Sequence, residues 1–262
     1  MSDKEDEKKF KFKQQEKLVE DIDFPEDIEI DEKIEDIIVV KDVTKDFPIG
    51  DFIVRAVDNV SLNIKENEFV VIRGPSGAGK TTLLNLIGAL DSPDKGEIYF
   101  YGVKISDLNQ ESLTIFRLMN SGFIFQNYNL ISTLSAEENV MFPVSLRGEN
   151  LEKQREIAVE LLKKVGLGER REHLPFQLSA GEQQRVAIAR ALANDPPVIL
   201  ADEPTANLDK HTSEFIRDFF IELKEGDKTI IIASHDDYLI DLADKVINFD
   251  EGKIILDKIR NY

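Results

Sequence analysis

Nearly continuous apolar runs alternate along the chain with stretches in which apolar residues recur at helical spacing. Three runs, Glu68–Arg73, Val198–Ala201 and Thr229–Ser234, have the pattern of parallel strands that are buried on both faces. Between the last two runs, a helical stripe is formed by Phe215, Ile216, Phe219, Phe220 and Leu223. We expect Asp209 to cap the start of this helix and Gly226 to end it, with the stripe packed in the core.

Short antiparallel strands are predicted on the N-terminal side, where ordered structure should begin at Ile37–Val40. Phe52–Val57, Val60–Ile64 and Glu97–Tyr101 follow as further short strands. From about residue 108 to 180 the pattern changes to helices. One of these helices has the apolar face Ile157, Leu161, Leu162 and Val165. The pattern predicts an α/β fold in one folding unit, with an antiparallel β edge and an inserted helical lobe.

Residues 1–36 differ from the rest of the chain in composition. They are rich in lysine and acidic residues, contain few large apolar residues and are interrupted by Pro25. This composition predicts a charged, disordered tail. A short helix around Phe10–Leu18 and a docking segment are the two alternatives. The functional domain is therefore expected at residues 37–262.

The composition narrows the class and the location of the protein. Of the 262 residues, 42% are hydrophobic and 32% are charged, and there is no cysteine. No apolar run approaches the roughly 20 residues of a membrane helix, and the N-terminus has no apolar segment like that of a secretory signal. The absence of cysteine excludes disulfides and thiolate metal sites. We expect a cytoplasmic protein.

The chain is strongly acidic, with a formal net charge of −18. Binding to nucleic acid or to anionic lipid generally depends on a basic surface. We therefore expect no direct nucleic-acid binding. An acidic protein of this kind could still lie at a membrane, where it would need a protein receptor.

A glycine-rich loop joins the first buried strand to a helix. It consists of Gly74, Pro75, Ser76, Gly77, Ala78, Gly79, Lys80 and Thr81, followed by Thr82. This fits the phosphate loop, in which backbone N–H groups and a helix N-terminus surround phosphate oxygens. Lys80 would bridge the β- and γ-phosphates, and the Thr81 hydroxyl would ligate Mg²⁺. The loop predicts nucleoside triphosphate binding but does not separate kinases, GTPases, helicases and transport ATPases.

Two carboxylates follow the second buried strand, at Asp202 and Glu203. Acidic side chains at the end of a buried strand are costly unless they face a cation or a reacting water. Asp202 is expected to hold the Mg²⁺ shell, and Glu203 to act as the general base on the attacking water. An ordinary acidic pair at a strand end is the alternative.

A second helix start lies at Leu178–Arg185. Ser179 and Glu182 have the spacing of a capping box, which is a sufficient structural explanation for that pair. The capping box does not explain Gly181, because glycine weakens the first turn of a helix. Close approach of the backbone to an anion would explain it, so this helix start is a second candidate phosphate site.

Taken together, these stretches resemble the ATP-binding cassette (ABC) ATPases from about Ile37 to near the C-terminus. The stretches that carry the resemblance are Gly74–Thr82, Gln126 after Phe123–Phe125, Leu178–Gln183, Ile199–Glu203, Asn207–Asp209 and His235. Finer sequence features resemble the macrolide-export and lipoprotein-release branch. They include Phe69–Pro75, Asn85–Asp91, Phe123–Leu130, Leu134–Val140 and Ala201–Asp209.

The resemblance implies that Leu178–Gln183 is the signature segment of the family. It also implies a head-to-tail homodimer in which each ATP lies between one phosphate loop and the partner's signature segment. Ser179 and Gly181 would then contact the γ-phosphate bound on the other subunit. His235 would touch the same phosphate, and Asp209 would cross the dimer interface. Gln126 would link Mg²⁺ and the attacking water to the helical lobe.

Three positions depart from the family pattern. Ala180 stands where the family signature usually has glycine. This departure puts in doubt the shape of the closed dimer and its rate of ATP turnover. Phe47 stands where an adenine-stacking aromatic, often tyrosine, is expected, and a buried strand-end phenylalanine is the alternative. Asn67 replaces a turn glycine, whose left-handed conformation asparagine tolerates.

The resemblance implies an ATP-hydrolysing subunit that drives a separate transmembrane permease and lies at the cytoplasmic face of the membrane through it. The rival interpretations are a soluble ABC ATPase that acts on macromolecules and a weakly hydrolysing regulatory module. We expect the permease to dock on Asn127–Arg147, with Ser135 and Glu138 as a second capping box and Pro143 breaking the helix. The apolar residues singled out there are Leu130, Ile131, Leu134, Met141 and Phe142. Filling of the helical lobe is the alternative explanation for them.

Overall fold

The fold is that of a computed structural model of the chain. The structure describes residues 30–259 except 32 and 207, and it describes side chains up to residue 255. Most of the predicted tail, including the alternative helix around Phe10–Leu18, lies outside the described residues. Asn207 of the Asn207–Asp209 segment lies outside them as well.

Strands and helices follow one another in the order expected of an α/β fold. The strands are β1 (Ile38–Ile49), β2 (Phe52–Ile64), β3 (Phe69–Arg73), β4 (Lys95–Phe100), β5 (Val103–Lys104), β6 (Ser121–Ile124), β7 (Val198–Asp202), β8 (Thr229–Ala233), β9 (Lys245–Asp250) and β10 (Lys253–Ile259). The α-helices are α1 (Lys80–Ile87), α2 (Gln110–Asn120), α3 (Ala136–Leu146), α4 (Leu151–Lys164), α5 (Ala180–Leu192), α6 (Lys210–Glu225) and α7 (Asp237–Leu242).

The three buried apolar runs lie together at the centre of a six-stranded sheet with the order β10-β9-β3-β8-β7-β6. β3, β6, β7, β8 and β9 are parallel, and β10 pairs antiparallel to β9 at the edge. Every residue of β8 is buried, and only the last residue of β3 is exposed. The predicted parallel core is therefore confirmed, and its carboxyl edge carries the loops that follow β3 and β7.

The antiparallel edge is a second sheet of four strands in the order β2-β1-β4-β5. The prediction of two separate strands at Phe52–Val57 and Val60–Ile64 is wrong, because β2 runs without interruption from Phe52 to Ile64. Asn59 adopts a left-handed φ of 51° within it, and the pairing with β1 shifts register between Val43 and Lys45. A bulge of this kind bends a strand without ending its pairing. β2 therefore continues through Asn59, although asparagine is typical of turns.

The predicted helical range contains one strand of the main sheet. β6 pairs in parallel with Val198–Ala201 of β7, and α2 before it packs Leu113 and Phe116 into the core beneath the antiparallel sheet. The helices after β6 share a different core, on the other face of the main sheet, which includes Val140 and Leu162. We use "helical lobe" below for α3, α4 and the start of α5.

The two predicted capping boxes are confirmed, at Ser135 with Glu138 and at Ser179 with Glu182. The expectation that Pro143 breaks its helix is wrong, since α3 continues to Leu146. The helix is held at its start by Asn139, whose side-chain amide donates to the Leu134 and Ser135 carbonyl oxygens at 2.9 Å. Proline removes one backbone hydrogen bond in the helix interior, whereas the capping box and the Asn139 bonds stabilise the first turn before it.

Candidate functional site

The glycine loop leaves the carboxyl end of β3 and ends at the first turn of α1, as the sequence predicts. Gly77 and Gly79 have left-handed φ angles of 78° and 100°, which favour glycine over any residue with a side chain. A Cβ atom on Gly79 would also overlap the carbonyl oxygen of Ala56 on β2. A side chain at position 79 is therefore excluded both by the backbone conformation and by the neighbouring strand.

Lys80 lies at the first position of α1 with a side chain that is only 8% exposed. Its Nζ donates hydrogen bonds of 2.9 Å to the carbonyl oxygens of Gly74 and Pro75, and lies 3.9 Å from Oε1 of Glu203. The ammonium group is thus held inside the curve of the loop. This places a positive charge where phosphate oxygens would enter.

Thr81 and Asp202 bring the two predicted nucleotide motifs into direct contact. The Thr81 hydroxyl donates a hydrogen bond of 2.8 Å to Oδ2 of Asp202. Burial raises the pKa of the Asp202 carboxyl above its ordinary value of 3.8, the neighbouring Glu203 raises it further, and the Thr81 hydrogen bond partly opposes both. A carboxylate that burial destabilises in this way gains from a bound cation.

Glu203 and His235 form the other side of the site. Oε2 of Glu203 lies 2.9 Å from Nδ1 of His235, and the Glu203 side chain is 14% exposed. Glu203 has a left-handed φ of 46°, and its backbone N–H donates to the Ala233 carbonyl oxygen at 2.8 Å. This bond ties the end of β7 to the end of β8, so the two side chains meet because their strands are neighbours in the sheet.

These side chains surround one cavity of about 580 Å³. Its lining in the described part of the chain is Ala56, Gly74, Pro75, Ser76, Gly77, Gly79, Lys80, Thr81, Thr82, Gln126, Asp202, Glu203, Ala206 and His235. Gln126 reaches it from the loop after β6. Ala56 and Ala206 were not predicted from the sequence. Ala56 carries no motif that would identify it, whereas Ala206 could have been suspected from its place three residues after Glu203.

Five predicted residues lie outside the lining of this cavity. They are Phe47, Ala78, Ser179, Gly181 and Asp209. Ala78 is buried, whereas Ser179 and Asp209 are exposed. Asp209 caps α6 as predicted, accepting from the Thr212 N–H at 3.0 Å. Phe47 is 37% exposed on β1, so the prediction of a buried strand-end residue is wrong for it.

Gly181 has a close neighbour within the chain itself. A Cβ atom at this position would lie 2.6 Å from Cγ2 and 2.7 Å from Oγ1 of Thr212 on α6. This contact explains why α5 has a glycine in its first turn without any ligand. This packing against Thr212 was not predicted from the sequence, and the expected approach of an anion to Gly181 stays a prediction.

A phosphate-binding loop, a buried lysine, and a hydroxyl and two carboxylates at the ends of neighbouring parallel strands define a P-loop nucleoside triphosphatase. The comparisons with known proteins narrow this class. Residues 57–206 match the family described as ABC transporter. The chain belongs to the ABC transporter family. Within that family it is an ATP-binding cassette with ATPase activity.

Named relatives place the chain within that family. The macrolide export ATP-binding/permease protein MacB of Hyphomonas neptunium is 49% identical over 84% of this chain, which spans only 34% of that relative. The uncharacterized ABC transporter ATP-binding protein MJ0796 of Methanocaldococcus jannaschii is 47% identical over 83% of this chain and 94% of its own length. The predicted resemblance to the macrolide-export branch is in accord with these relatives.

A solved structure has the same fold. It is described as a dimeric, post-hydrolysis state of the ATP-binding cassette MJ0796 bound to ADP and Pi. Its TM-score with this chain is 0.82 at 44% identity, and the alignment covers 86% of this chain and 100% of that one. Together with the family match and the named relatives, this comparison supports the transporter interpretation over the soluble ABC rival.

Proposed function

We propose that the chain binds and hydrolyses ATP as a head-to-tail homodimer, and that it thereby powers a membrane permease on a separate chain. The observation that supports this most directly is the meeting of Lys80, Thr81, Asp202, Glu203 and His235 around one cavity. These residues lie just beyond the carboxyl ends of the neighbouring strands β3, β7 and β8 or at the last residue of β7, where an α/β sheet generally binds its ligand.

In this proposal the triphosphate lies in the curve of the loop. The backbone N–H groups from Ser76 to Thr82 and the start of α1 receive the phosphate oxygens. The Lys80 ammonium exchanges its bonds to the Gly74 and Pro75 carbonyl oxygens for bonds to the β- and γ-phosphates. Phe47 stacks on the adenine base from β1, since its ring lies partly exposed on the strand that pairs with β2.

The donor atoms around Asp202 fit Mg²⁺. One carboxylate oxygen and one hydroxyl oxygen lie 2.8 Å apart, at Asp202 and Thr81, and the Gln126 side chain lines the same cavity. Magnesium in nucleotide sites is held by one or two carboxylates together with phosphates and water. When bound, it would neutralise charge that develops on the phosphates.

Glu203 is the proposed general base for the water that attacks the γ-phosphate, giving ADP and phosphate. Its two oxygens have different neighbours, since Oε1 faces Lys80 at 3.9 Å and Oε2 faces His235 at 2.9 Å. A carboxylate held from both sides keeps one orientation, which a base needs in order to direct the water. His235 would contact the γ-phosphate, and its largely exposed ring is accessible for that contact.

The homodimer would complete each site with the signature segment of the other copy. Ser179 is exposed at the start of α5, and it would contact the γ-phosphate together with Gly181 in the first turn of that helix. Asp209 is exposed at the start of α6 and would cross the interface. A head-to-tail pair with two-fold symmetry forms two identical sites in this way.

The membrane partner is proposed from the relatives. MacB is named as a joined ATP-binding and permease protein, and this chain spans about a third of it. MJ0796 is named as an ATP-binding protein alone, and the chain covers 94% of it. In the described part of the chain, no helix is long and apolar enough to cross a membrane. We propose that the chain lies at the cytoplasmic face of the membrane and that a permease holds it there.

The Glu203→Gln variant tests the hydrolysis. The amide keeps the shape of the carboxylate but cannot accept a proton, so ATP turnover should fall by at least about a hundredfold. ATP binding should remain, and an ATP-dependent dimer should accumulate on a sizing column. Glu222→Gln, a surface acid paired with Lys164, is the matched control and should behave as wild type. Near-normal turnover in the Glu203 variant would remove Glu203 from this role.

A further inference from the structure

The loop that carries His235 is fastened through the next residue, Asp236. The Asp236 side chain is 11% exposed and accepts hydrogen bonds from two nitrogens of Arg217, Nε at 3.1 Å and Nη2 at 2.8 Å. It also accepts from the Thr205 hydroxyl and from the N–H of Tyr238, each at 3.0 Å. Separate elements thus hold this one carboxylate.

Asp236 is a charged group in a partly buried place. Burial by itself would raise the pKa of the Asp236 carboxyl, but the hydrogen bonds from Arg217 and Thr205 outweigh it, and the net shift is downward. The Arg217 side chain is 25% exposed, so both partners of the ion pair are partly buried. Removal of one partner of such a pair leaves an uncompensated charge. The position of Asp236 therefore depends on Arg217.

Thr205 and Arg217 connect Asp236 to two segments of the nucleotide site. Thr205 comes two residues after Glu203, in the loop that follows β7. Arg217 lies on α6, the helix that Asp209 caps at its start. Arg217 therefore joins α6 to the loop of His235, and through Asp236 to the loop of Glu203.

The His235 ring is 74% exposed, so little packing surrounds it. Its contact with the site is the 2.9 Å approach of Nδ1 to Glu203. An exposed side chain keeps such a contact only if the backbone that carries it is fixed. The backbone is held by the Ser234 N–H, which donates to the Ile72 carbonyl oxygen, and by the Asp236 N–H, which donates to the Ser234 hydroxyl, each at 3.1 Å. The groups on the Asp236 side chain add the connection to α6 and to the loop after β7.

We propose that Arg217 is a positioning residue for ATP hydrolysis, which acts by fixing Asp236 so that the His235 imidazole stays within hydrogen-bonding reach of Glu203. The inference rests on the proposed function of Glu203 and His235 in hydrolysis. Misplacement of a catalytic group by about 1 Å can cost up to about a hundredfold in rate. Loss of the Arg217–Asp236 ion pair should lower turnover, while ATP binding at the phosphate loop is kept.

The same helix offers a matched control. Lys224 lies two turns further along α6 and forms an ion pair with Asp244, with Nζ 2.7 Å from Oδ1. Its Nζ also donates to the Leu242 carbonyl oxygen at 2.9 Å. This pair ties α6 to the end of α7 and contacts none of the residues that line the cavity. Arg217→Met and Lys224→Met therefore remove comparable ion pairs, of which only the first reaches the site.

The experiment compares Arg217→Met, Arg217→Lys and Lys224→Met with wild type in the full chain. The imidazole ¹⁵N spectrum reports on His235 directly, and the chain has only 3 histidines to assign. His235→Gln identifies its signals. Turnover and KM for ATP are measured on the same samples, and thermal unfolding confirms that each variant is folded.

Arg217→Met should shift the His235 signals and lower kcat about tenfold, with KM for ATP changed less than about twofold. Arg217→Lys keeps the charge but loses the two-nitrogen geometry, so it should fall between Arg217→Met and wild type. It also serves as the test variant if Arg217→Met does not fold. Lys224→Met should leave both the His235 signals and kcat unchanged.

Unshifted His235 signals in Arg217→Met would overturn the inference, and so would a shift without loss of turnover. The failure of the proposed function has a different signature. If Glu203→Gln still hydrolyses ATP, the assignment of the base is wrong whatever Arg217 does. If Glu203→Gln is inactive while Arg217→Met matches Lys224→Met, only the positioning role of Arg217 is wrong.

Discussion

Thr212 on α6 occupies the space that a side chain on Gly181 would need, with its Cγ2 atom 2.6 Å from the position of a Cβ. The Thr212 hydroxyl also donates a hydrogen bond of 2.7 Å to Oδ2 of Asp209, so its rotamer is held. The glycine of the signature segment thus has a role in packing within one chain. A substitution at Gly181 therefore changes folding as well as any contact with a partner's phosphate.

We expect Gly181→Ala to destabilise the protein. The overpacking against Thr212 should cost about 1–3 kcal/mol, and the better helix propensity of alanine should offset up to about 1 kcal/mol of it. Urea unfolding measures the change. Thr212→Ser removes the methyl group but keeps the hydroxyl, so the double variant should be less destabilised than the sum of the two single variants. Wild-type stability in Gly181→Ala would contradict this packing.

The proposed dimer is better tested at Ser179. Asp is as good an N-cap as Ser, but its carboxylate would lie beside Glu182, which accepts from the Ser179 hydroxyl at 2.9 Å, so thermal unfolding is measured on Ser179→Asp to confirm that it is folded. Its carboxylate would face the γ-phosphate bound on the other copy, so ATP-dependent dimerisation should be lost while the monomer still binds ATP. Ser135→Asp makes the same replacement in the capping box of α3 and should dimerise like wild type. Dimers of Ser179→Asp that form with ATP as in wild type would rule out the head-to-tail arrangement.

Lys80→Ala should weaken nucleotide binding itself. A hydrogen bond to a charged group contributes about 1.5–3 kcal/mol, so affinity for ATP should fall about 10- to 100-fold. Titration with a fluorescent ATP analogue measures this. Lys164→Ala, which removes a surface ion pair with Glu222, is the control and should bind as wild type. Equal affinities in the two variants would exclude Lys80 from phosphate binding.

Asp202→Asn should make the protein more stable and its ATP binding less dependent on Mg²⁺. Because the folded-state pKa of Asp202 is raised, the folded protein binds more protons than the unfolded chain as pH rises above 3.8. Asp202 therefore lowers the free energy of unfolding as pH increases from 3.8 to its raised folded-state pKa. The neutral amide of Asn removes this loss of stability. Thermal unfolding between pH 4 and about 7 tests the sign, since a steeper decline in the variant would contradict it.

The docking of a permease should be tested on exposed residues of α3. Leu130 packs against the core of the helical lobe and Met141 is buried, so charges there would disturb folding. Phe142 and Leu146 are 43% and 56% exposed and lie one turn apart. Phe142→Glu with Leu146→Glu should leave ATP binding intact and reduce the share of the protein recovered with native membranes.

The control for this pair is Ile255→Glu, since Ile255 is 64% exposed on β10, outside the helical lobe. It should be recovered with membranes as wild type. Unchanged membrane recovery of the Phe142 and Leu146 variant would remove this face of α3 as the docking site. If wild type itself is never found with membranes, the soluble ABC rival regains support.

The conformations that depend only on neighbouring residues in the chain were predictable from the sequence. The glycine loop, both capping boxes and the left-handed turn at Asn67, with a φ of 62°, depend on residues that are close together in the chain. Apolar runs likewise identified the central parallel strands, because strands buried on both faces need apolar residues at nearly every position. These features are encoded over a few residues each, and the fold class follows from their order.

Contacts between distant segments were decided only by the tertiary structure. The carbonyl of Ala56 against Gly79, Thr212 against Gly181 and Arg217 on Asp236 each join parts of the chain that no periodicity relates. The continuity of β2 through Asn59 and of α3 through Pro143 was likewise decided by the folded chain, because the local residues alone predicted a break at both positions. Local sequence sets the conformations that each segment prefers, whereas packing determines which side chains share a site.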